Sequence, residues 1–268
     1  MPSWTAILLA GERPDGDPLA RHYGVSAKAL LPIGGISMIR RVSGTLLAVP
    51  QIGRVVILAQ DPAALLSGDM ADIADDPRLA LAQSGYGIAS SIAAVVGTER
   101  APWPVMVTTA DHALLTPEMV TEFLAGTEGC DLAVAVGERR VIEAAYPETR
   151  RTWLKFSDGH YSGANLFALR SPKVASALRL WSGVEQDRKR ALKLFRRFGP
   201  WLLLRAVTRT ISFPNAMTHA GKRLGLIARP VVLSAAEAAI DVDKPDDVTL
   251  VESILRSREG VQTVDRAG

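Results

Sequence analysis

The loop that follows the first apolar run of the chain has a composition suited to binding phosphate. Between residues 11 and 28 it contains Gly11, Arg13, Gly16, Gly24 and Lys28. Glycine lets backbone N–H groups approach an anion closely, and Arg and Lys supply positive charge. The same composition is common in surface loops, and the loop carries neither the P-loop nor the GxGxxG pattern. These residues alone leave open both a phosphate cradle and an ordinary loop.

Asp111 lies two residues past the apolar run at residues 105–109, near a strand end of the kind where ligands of open α/β sheets bind. An aspartate here could instead cap the next helix, but Thr116 and Pro117 already supply the N-cap and the first helical residue. We therefore expect Asp111 to have a functional role and not to cap the helix. The neighbouring His112 either touches a substrate or has no role.

Asp243 precedes a second helix start, at Pro245. Asp246 and Asp247 fall in the first turn of that helix, where negative charge suits the helix dipole, so we expect them to be structural. Asp111 and Asp243 are far apart in sequence. If both reach the same sheet edge, their carboxylates could hold a hard cation such as Mg²⁺ together with water and phosphate oxygens.

Two further segments combine glycine with polar side chains. The turn at residues 83–87 contains Ser84 and Gly85 and opens a helix that includes Ser90, so it presents unpaired N–H groups. The serines could equally be simple helix-start residues. Gly163 and Asn165 lie where a later strand begins, and Asn165 either contacts a substrate or is unremarkable.

The elements that position these residues follow from the hydrophobic pattern. In the first half, strands are predicted at residues 4–10, 54–59, 105–109 and 132–136, and helices at 38–49, 88–97 and 117–125. In the second half, strands are predicted at 152–157, 166–169 and 226–233, a turn at 158–163, and helices at 174–181 and 248–256. Continuous apolar strands alternating with helices indicate a three-layer α/β fold with a mostly parallel central sheet covered on both faces.

Composition excludes several classes of protein. The chain has 268 residues and a net charge of +3, and its one cysteine, Cys130, excludes an internal disulfide framework and a cysteine-based zinc site. The four histidines are not at metal-ligand spacing. The opening residues lack the basic n-region of a signal peptide, so we do not expect one. No uncharged apolar run reaches about 18 residues, the length that a membrane-spanning helix needs. We expect one domain at 1–257, with a basic helical excursion at 186–224 and a polar tail at 258–268.

The excursion concentrates much of the positive charge. Residues 188–198 place apolar side chains on one side of a helix and basic ones on the other, and a Trp-Leu segment with Arg205 and Arg209 follows. This pattern suits either a helix packed on the domain, its basic face solvated or lining a pocket, or an interfacial membrane helix spanning 188–209. Nucleic-acid binding is not expected, because aromatic residues do not alternate with basic ones and no binding module is recognisable.

The motifs together resemble a known family. AILLAGE at 6–12 and AKALLPIGG at 27–35 resemble the LAGGxGxR…PKxLLPI opening of the MobA-like nucleotidyltransferases, which include the molybdenum-cofactor guanylyltransferase and sugar-phosphate nucleotidylyltransferases. IDVDKPDD at 240–247 resembles their D-[IV]-[DN]-T-P-E-D signature. Glu12 stands where the family has its second glycine, and Ala113 replaces the proline of its D-x-P pattern.

The resemblance implies a Rossmann-like nucleotide-diphospho-sugar transferase fold and a role for each motif. It assigns the NTP to Leu9, Ala10, Gly11, Lys28, Ser84, Gly85 and Ser90; charge neutralisation at the α-phosphate to Lys28 and Arg13; Mg²⁺ to Asp111 and Asp243; and the acceptor to Gly163 and Asn165.

The expected activity is therefore Mg²⁺-dependent transfer of a nucleoside monophosphate from an NTP to a phosphorylated acceptor, with release of pyrophosphate. The basic excursion favours an acceptor in lipid or envelope metabolism, CTP as donor, and a cytoplasmic location that extends to the inner membrane surface. Two alternatives stay open. One is a sugar transferase using a nucleotide sugar, although Thr109-Ala110-Asp111 lacks the first carboxylate of an Asp-x-Asp pattern. The other is a non-catalytic, membrane-associated nucleotide-binding protein.

Overall fold

The computed structural model describes residues 3–12, 15–85, 87–186, 204–205 and 207–265. The strands are β1 Trp4–Leu9, β2 Pro32–Ile33, β3 Ile36–Ser37, β4 Ile52–Ala59, β5 Leu79–Gln83, β6 Val105–Thr109, β7 Leu132–Glu138, β8 Leu154–Phe156, β9 Gly159–Leu169 and β10 Ala228–Leu233. The α-helices are α1 Pro18–Tyr23, α2 Met38–Ala48, α3 Ile88–Val95, α4 Pro117–Gly126, α5 Arg139–Ala145, α6 Ala175–Gln186, α7 Phe213–Leu224 and α8 Pro245–Asp265.

One mixed sheet organises the molecule. Its strand order is β10-β7-β9-β6-β1-β4-β5, with β8 paired to β9, while β2 and β3 form a separate small hairpin. The pairs β1–β4, β1–β6, β4–β5 and β7–β10 are parallel, whereas β9 runs antiparallel to β6, β7 and β8. The expected three-layer α/β architecture with a mostly parallel sheet is confirmed.

Strand β1 shows why both faces of the sheet are covered. Successive side chains of a strand point to opposite faces, and Ala6, Ile7 and Leu8 are all fully buried. Ala6 and Leu8 join the cluster that contains Leu46 of α2 and Phe123 of α4. Ile7 joins the opposite cluster, which contains side chains of α3 and α6. A strand buried on both sides needs the continuous apolar run that the sequence shows.

The last helix covers the loop region at the carboxyl end of β1. Val248, Val251 and Ile254 of α8 pack with Leu31 and with further buried residues of the segments around it. This packing brings the chain's last described element against the loop that contains Lys28.

The second half differs from expectation at two places. The turn predicted for residues 158–163 is confined to Ser157 and Asp158, and β9 begins at Gly159. This part of β9 pairs with β7 on one side and with β8 on the other. The pairing holds Gly159 and Ser162 in the strand although their own strand preference is low. Helix α8 continues past Ser257, where the polar tail was expected to begin, and reaches Asp265.

The basic excursion is only partly described. Residues 187–203, which hold most of the predicted amphipathic helix, lie outside the described residues. Residues 213–224 of the excursion form helix α7. Within the described part of the chain, no helix combines the length and apolar character needed to cross a bilayer.

Candidate active site

The loop after β1 is anchored by a glutamine that follows β4. Gln60 accepts a hydrogen bond from the Glu12 backbone N–H (2.9 Å) and donates to the Glu12 carbonyl (3.0 Å). A Cβ on Gly11 would lie 3.0 Å from Oε1 of Gln60, so glycine permits this close approach. Gln60 has no signature in the sequence, because a lone glutamine after a strand carries no recognisable pattern.

Lys28 lies between the two predicted metal-binding carboxylates. Its Nζ donates to Oδ2 of Asp111 at 2.8 Å and to Oδ1 of Asp243 at 2.6 Å. Asp111 comes from the end of β6, where the Thr109 hydroxyl donates to its other oxygen, and Asp243 comes from the residues before α8. The fold thus brings together three groups separated by 83 and 215 positions in sequence.

The charge of Lys28 is set by these two partners. Burial lowers the pKa of the ammonium, but its attraction to and hydrogen bonds with Asp111 and Asp243 more than offset this, and the net pKa lies above its ordinary value of 10.5. Lys28 is therefore a fixed cation at neutral pH.

Asp111 and Asp243 suit a divalent cation. Both carboxylates contact the same ammonium, so their oxygens face one small space between them. Carboxylate oxygens are the ligands that Mg²⁺ prefers. The described residues contain no group of three or more His, Cys, Asp or Glu arranged for a metal, so water and substrate phosphate would supply the remaining ligands.

A cavity of about 250 Å³ opens beside this cluster. It is lined by the predicted residues Leu9, Ala10, Gly11, Lys28, Ser84, Gly85, Asp111 and Asp243, and by others that include Glu12, Asp17, Gln60, Gly87 and Ser91. The structure thus places both ends of the glycine loop, the 83–87 turn and the charge cluster around one cavity. Arg13 lies outside the described residues.

Ser91, rather than the predicted Ser90, lines the cavity beside the 83–87 turn. The Ser91 hydroxyl accepts from the Gly85 backbone N–H (2.8 Å) and donates to the Gly87 carbonyl (2.6 Å). Ser90 is exposed, hydrogen-bonds the Gly87 carbonyl and does not line the cavity.

A carboxylate from α6 holds the start of α3. Glu185 accepts from the backbone N–H groups of Ile88 (3.1 Å) and Ala89 (3.0 Å). A Cβ on Gly87 would lie 3.1 Å from Glu185, so the glycine leaves room for this contact. Glu185 has no local signature in the sequence, since the pairing joins segments about 97 positions apart.

The predicted acceptor residues lie outside the lining of this cavity. Gly163 is exposed, with open space where a Cβ would stand. Asn165 adopts a left-handed backbone (φ 51°) and donates to Asp241 at 3.2 Å. Arg151 binds Asp241 and also Asp247 (3.0 Å), so Asp241 anchors a loop. Burial, with the nearby charges of Asp243 and Asp111, raises the pKa of Asp241.

Comparisons with known proteins give matches to a family model and to solved structures. A family model described as the MobA-like NTP transferase domain matches residues 6–198. A structure described as a hypothetical transferase from Thermus thermophilus is 27% identical, with a TM-score of 0.76, over 92% of this chain and 99% of that one. None of the curated proteins compared with the chain matches it.

Two more distant structures share the fold. One is a 4-diphosphocytidyl-2C-methyl-D-erythritol synthase from Anaerococcus prevotii, 7% identical with a TM-score of 0.56 over 95% of this chain and 96% of that one. The other is a CMP:2-keto-3-deoxy-manno-octonic acid synthetase complexed with CTP, 15% identical with a TM-score of 0.56 over 96% of this chain and 100% of that one. At these identities the likeness concerns the fold alone.

Proposed function

Because the chain belongs to the MobA-like NTP transferase family, we propose that it carries out Mg²⁺-dependent transfer of a nucleoside monophosphate from an NTP to a phosphorylated acceptor, with release of pyrophosphate. The observation that carries the proposal is the Lys28 ammonium between Asp111 and Asp243, beside a cavity that the glycine loop and the 83–87 turn also line. Each of these parts has a counterpart in the chemistry of nucleotidyl transfer.

The reaction is an in-line displacement. An oxygen of the acceptor phosphate forms a bond to the α-phosphorus while the bond to the bridging oxygen of the β-phosphate breaks, and pyrophosphate leaves with that electron pair. Negative charge builds on the α-phosphate oxygens, and Lys28 is the cation placed to stabilise it. To face the phosphate, its ammonium gives up at least one carboxylate contact. Bound Mg²⁺ would neutralise phosphate charge, and Asp111 and Asp243 are the residues that would hold it.

CTP is our proposed donor, and the acceptor is a phosphorylated molecule of lipid or envelope metabolism. Both distant structural neighbours have cytidylyl or CTP chemistry in their descriptions, which supports the choice of base by analogy. The basic segment at 188–209 supports an acceptor with an anionic, membrane-associated character. Gly163 and Asn165 remain our candidates for the acceptor side.

Ligand-dependent stabilisation tests the proposal. The protein is heated with Mg²⁺ and each of CTP, GTP, UTP, ATP and dTTP, and the melting temperature is compared with that of Asp111→Asn and of a matched control, Asp61→Asn. Asp61 is exposed and outside the cavity. Both substitutions replace Asp with Asn, so they change the net charge of the protein by the same amount. We expect CTP to raise the melting temperature of the parent and the control only when Mg²⁺ is present, and Asp111→Asn to lose most of this shift.

Other outcomes would contradict the proposal in distinct ways. A shift with a nucleotide sugar and with no NTP would identify a sugar transferase. No shift with any nucleotide, with or without candidate acceptor phosphates, would favour a non-catalytic protein. If CTP binds, pyrophosphate release with a panel of phosphorylated acceptors follows, and Lys28→Met should lower its rate by roughly 100-fold or more.

A further inference from the structure

The cavity is more acidic than a triphosphate site would be expected to be. Among the described residues that line it, four carry a carboxylate and one an ammonium: Glu12, Asp17, Asp111, Asp243 and Lys28. A nucleoside triphosphate brings several further negative charges. Like charges in a partly buried cavity repel more strongly than they do in water, so a metal-free triphosphate meets a substantial electrostatic barrier.

Glu12 is the carboxylate in this set that neither caps a helix nor contacts the ammonium of Lys28 in the hydrogen bonds described. Asp17 accepts from the Leu19 N–H as the N-cap of α1, and Asp111 and Asp243 bind the Lys28 side chain. Glu12 instead accepts from the backbone N–H of Lys28, at 3.2 Å. It thus takes a main-chain donor of the residue whose side chain is expected to face the phosphates.

The side-chain amide of Gln60 holds the backbone of Glu12 in place. Both the N–H and the carbonyl of Glu12 are bound by the Gln60 amide, so only its side chain is left to move. That side chain spans the base of the loop, from residue 12 to residue 28. Carboxylate and phosphate oxygens compete for the same donors, because both form charge-assisted hydrogen bonds to N–H groups.

We propose that Glu12 is an internal anion that occupies the Lys28 backbone donor until a metal-bound triphosphate displaces it, and that it thereby selects the metal-bound donor over the free one. This inference rests on the proposed function and names a specificity-determining residue within that site. A free triphosphate must displace Glu12 and also enter against its charge. A divalent cation compensates that charge, so the penalty is largest when metal is absent.

Calorimetric titration with inorganic tripolyphosphate tests the inference without depending on the nucleobase. Binding is measured in EDTA and in Mg²⁺ for the parent, Glu12→Gln and Glu12→Gly. The glutamine keeps the shape of the side chain and an oxygen that can accept from the Lys28 N–H, while it removes the charge. The control is Asp15→Asn, an exposed residue of the same loop outside the cavity lining.

We expect both Glu12 variants to bind tripolyphosphate in EDTA at least about tenfold more tightly than the parent, because one negative charge is removed from a partly buried site. Asp15→Asn should stay within about twofold of the parent, and the gain should shrink in Mg²⁺. Unchanged or weaker binding by folded Glu12→Gln, with folding checked by circular dichroism, would overturn the inference. Weaker binding confined to Mg²⁺ would also overturn it and would make Glu12 a ligand of the cation.

The same titrations, repeated with CTP, distinguish a failure of this inference from a failure of the proposed function. If the parent binds tripolyphosphate and CTP with Mg²⁺ but the Glu12 variants match it in EDTA, only the inference about Glu12 fails. If the variants bind in EDTA and the parent binds only in Mg²⁺, the inference is supported in its strongest form. If no form of the protein binds either compound under any condition, both proposals are rejected.

Discussion

His112 is a titratable residue kept uncharged by its surroundings. Its side chain is buried, and burial lowers the pKa of the imidazole to about 4 in spite of the neighbouring Asp111 carboxylate. In the unfolded chain the pKa is about 6.5. Between these two values the unfolded chain binds a proton that the folded chain does not, so acid favours unfolding.

We predict that the free energy of unfolding falls by up to about 3 kcal/mol between pH 6.5 and pH 4 through His112. Urea unfolding of the nucleotide-free protein at several pH values measures this, compared with His112→Gln, which cannot titrate. The variant should show a flatter dependence on pH over that interval. The same slope in both proteins would assign the acid sensitivity to other groups.

Arg151 is a buried cation shared by two carboxylates. Its side chain is 8% exposed and binds Asp241 and Asp247. Replacing it with methionine leaves both carboxylates without their cation. The free energy of unfolding should fall by about 2–4 kcal/mol, less than for a fully buried pair because Asp241 keeps 28% exposure. Urea unfolding measures the loss, and Arg150→Met, at an exposed neighbouring position, serves as the control. Equal losses in the two variants would show that the Arg151 ion pairs add no stability.

At the level of residues, the sequence points to candidate groups by their chemical type. Lys28, Asp111 and Asp243 stand beside strand ends or helix starts in recognisable motifs, and the structure brings them together. Gln60, Glu185 and Arg151 support the site through contacts between distant segments. No local pattern marks such residues, because their partners are set by the fold.

Two helical glycines allow a test of packing at the level of elements. On α7, a Cβ added to Gly221 would lie 2.7 Å from the Leu226 carbonyl oxygen and 2.9 Å from the Ala228 backbone nitrogen. On α2, a Cβ added to Gly44 would meet only the end of the flexible Arg40 side chain, at 2.7 Å. The glycine on α7 therefore sets how closely that helix approaches β10.

We predict opposite effects on stability for the two alanine substitutions. Gly221→Ala should destabilise the protein by about 1–3 kcal/mol, because backbone atoms must move. Gly44→Ala should be neutral or stabilise it by up to about 1 kcal/mol, because alanine is the better helix former. Chemical denaturation of both variants checks the pair, and a loss of similar size at both positions would mean that the approach of α7 to β10 is not limiting.

The elements that the sequence predicted best are those with clear local features. Strand β6 and the start of α4 lie where they were expected, because an apolar run and a Thr-Pro cap are local features. Strand β5 and the first part of β9 were missed. Strand β5 is short and pairs with β4, and Gly159 and Ser162 of β9 have little strand preference of their own.

At the scale of the whole molecule, early and late segments of the chain share one sheet. β1 lies near its centre, β10 lies at one edge, and α8 packs against the region around Leu31. The predicted single domain would therefore unfold as one unit. Circular dichroism and the fluorescence of the five tryptophans, which include Trp4 of β1, Trp103 and Trp181, should give coincident transitions in denaturant. Two separated transitions would indicate two domains.

The fold class followed from the alternation of strands and helices, but the strand order did not. The position of β9 between β6 and β7 joins segments that are not consecutive in the chain. Local periodicity reports whether a segment is buried on one face or two and gives no information on its neighbours.

The edge strand β10 has a consequence for how copies of this protein meet one another. The Ile227 carbonyl accepts hydrogen bonds from the backbone N–H groups of Asp131 and Leu132, where β7 begins. Since alternate residues of a parallel strand face opposite sides, Pro230 turns its nitrogen toward the other edge. Proline offers no N–H there, and the neighbouring Arg229 is exposed and charged. Open sheet edges promote aggregation by recruiting strands from other molecules, and proline and charge at an edge oppose this. At β10, a strand from a second molecule finds a gap in its row of hydrogen-bond donors.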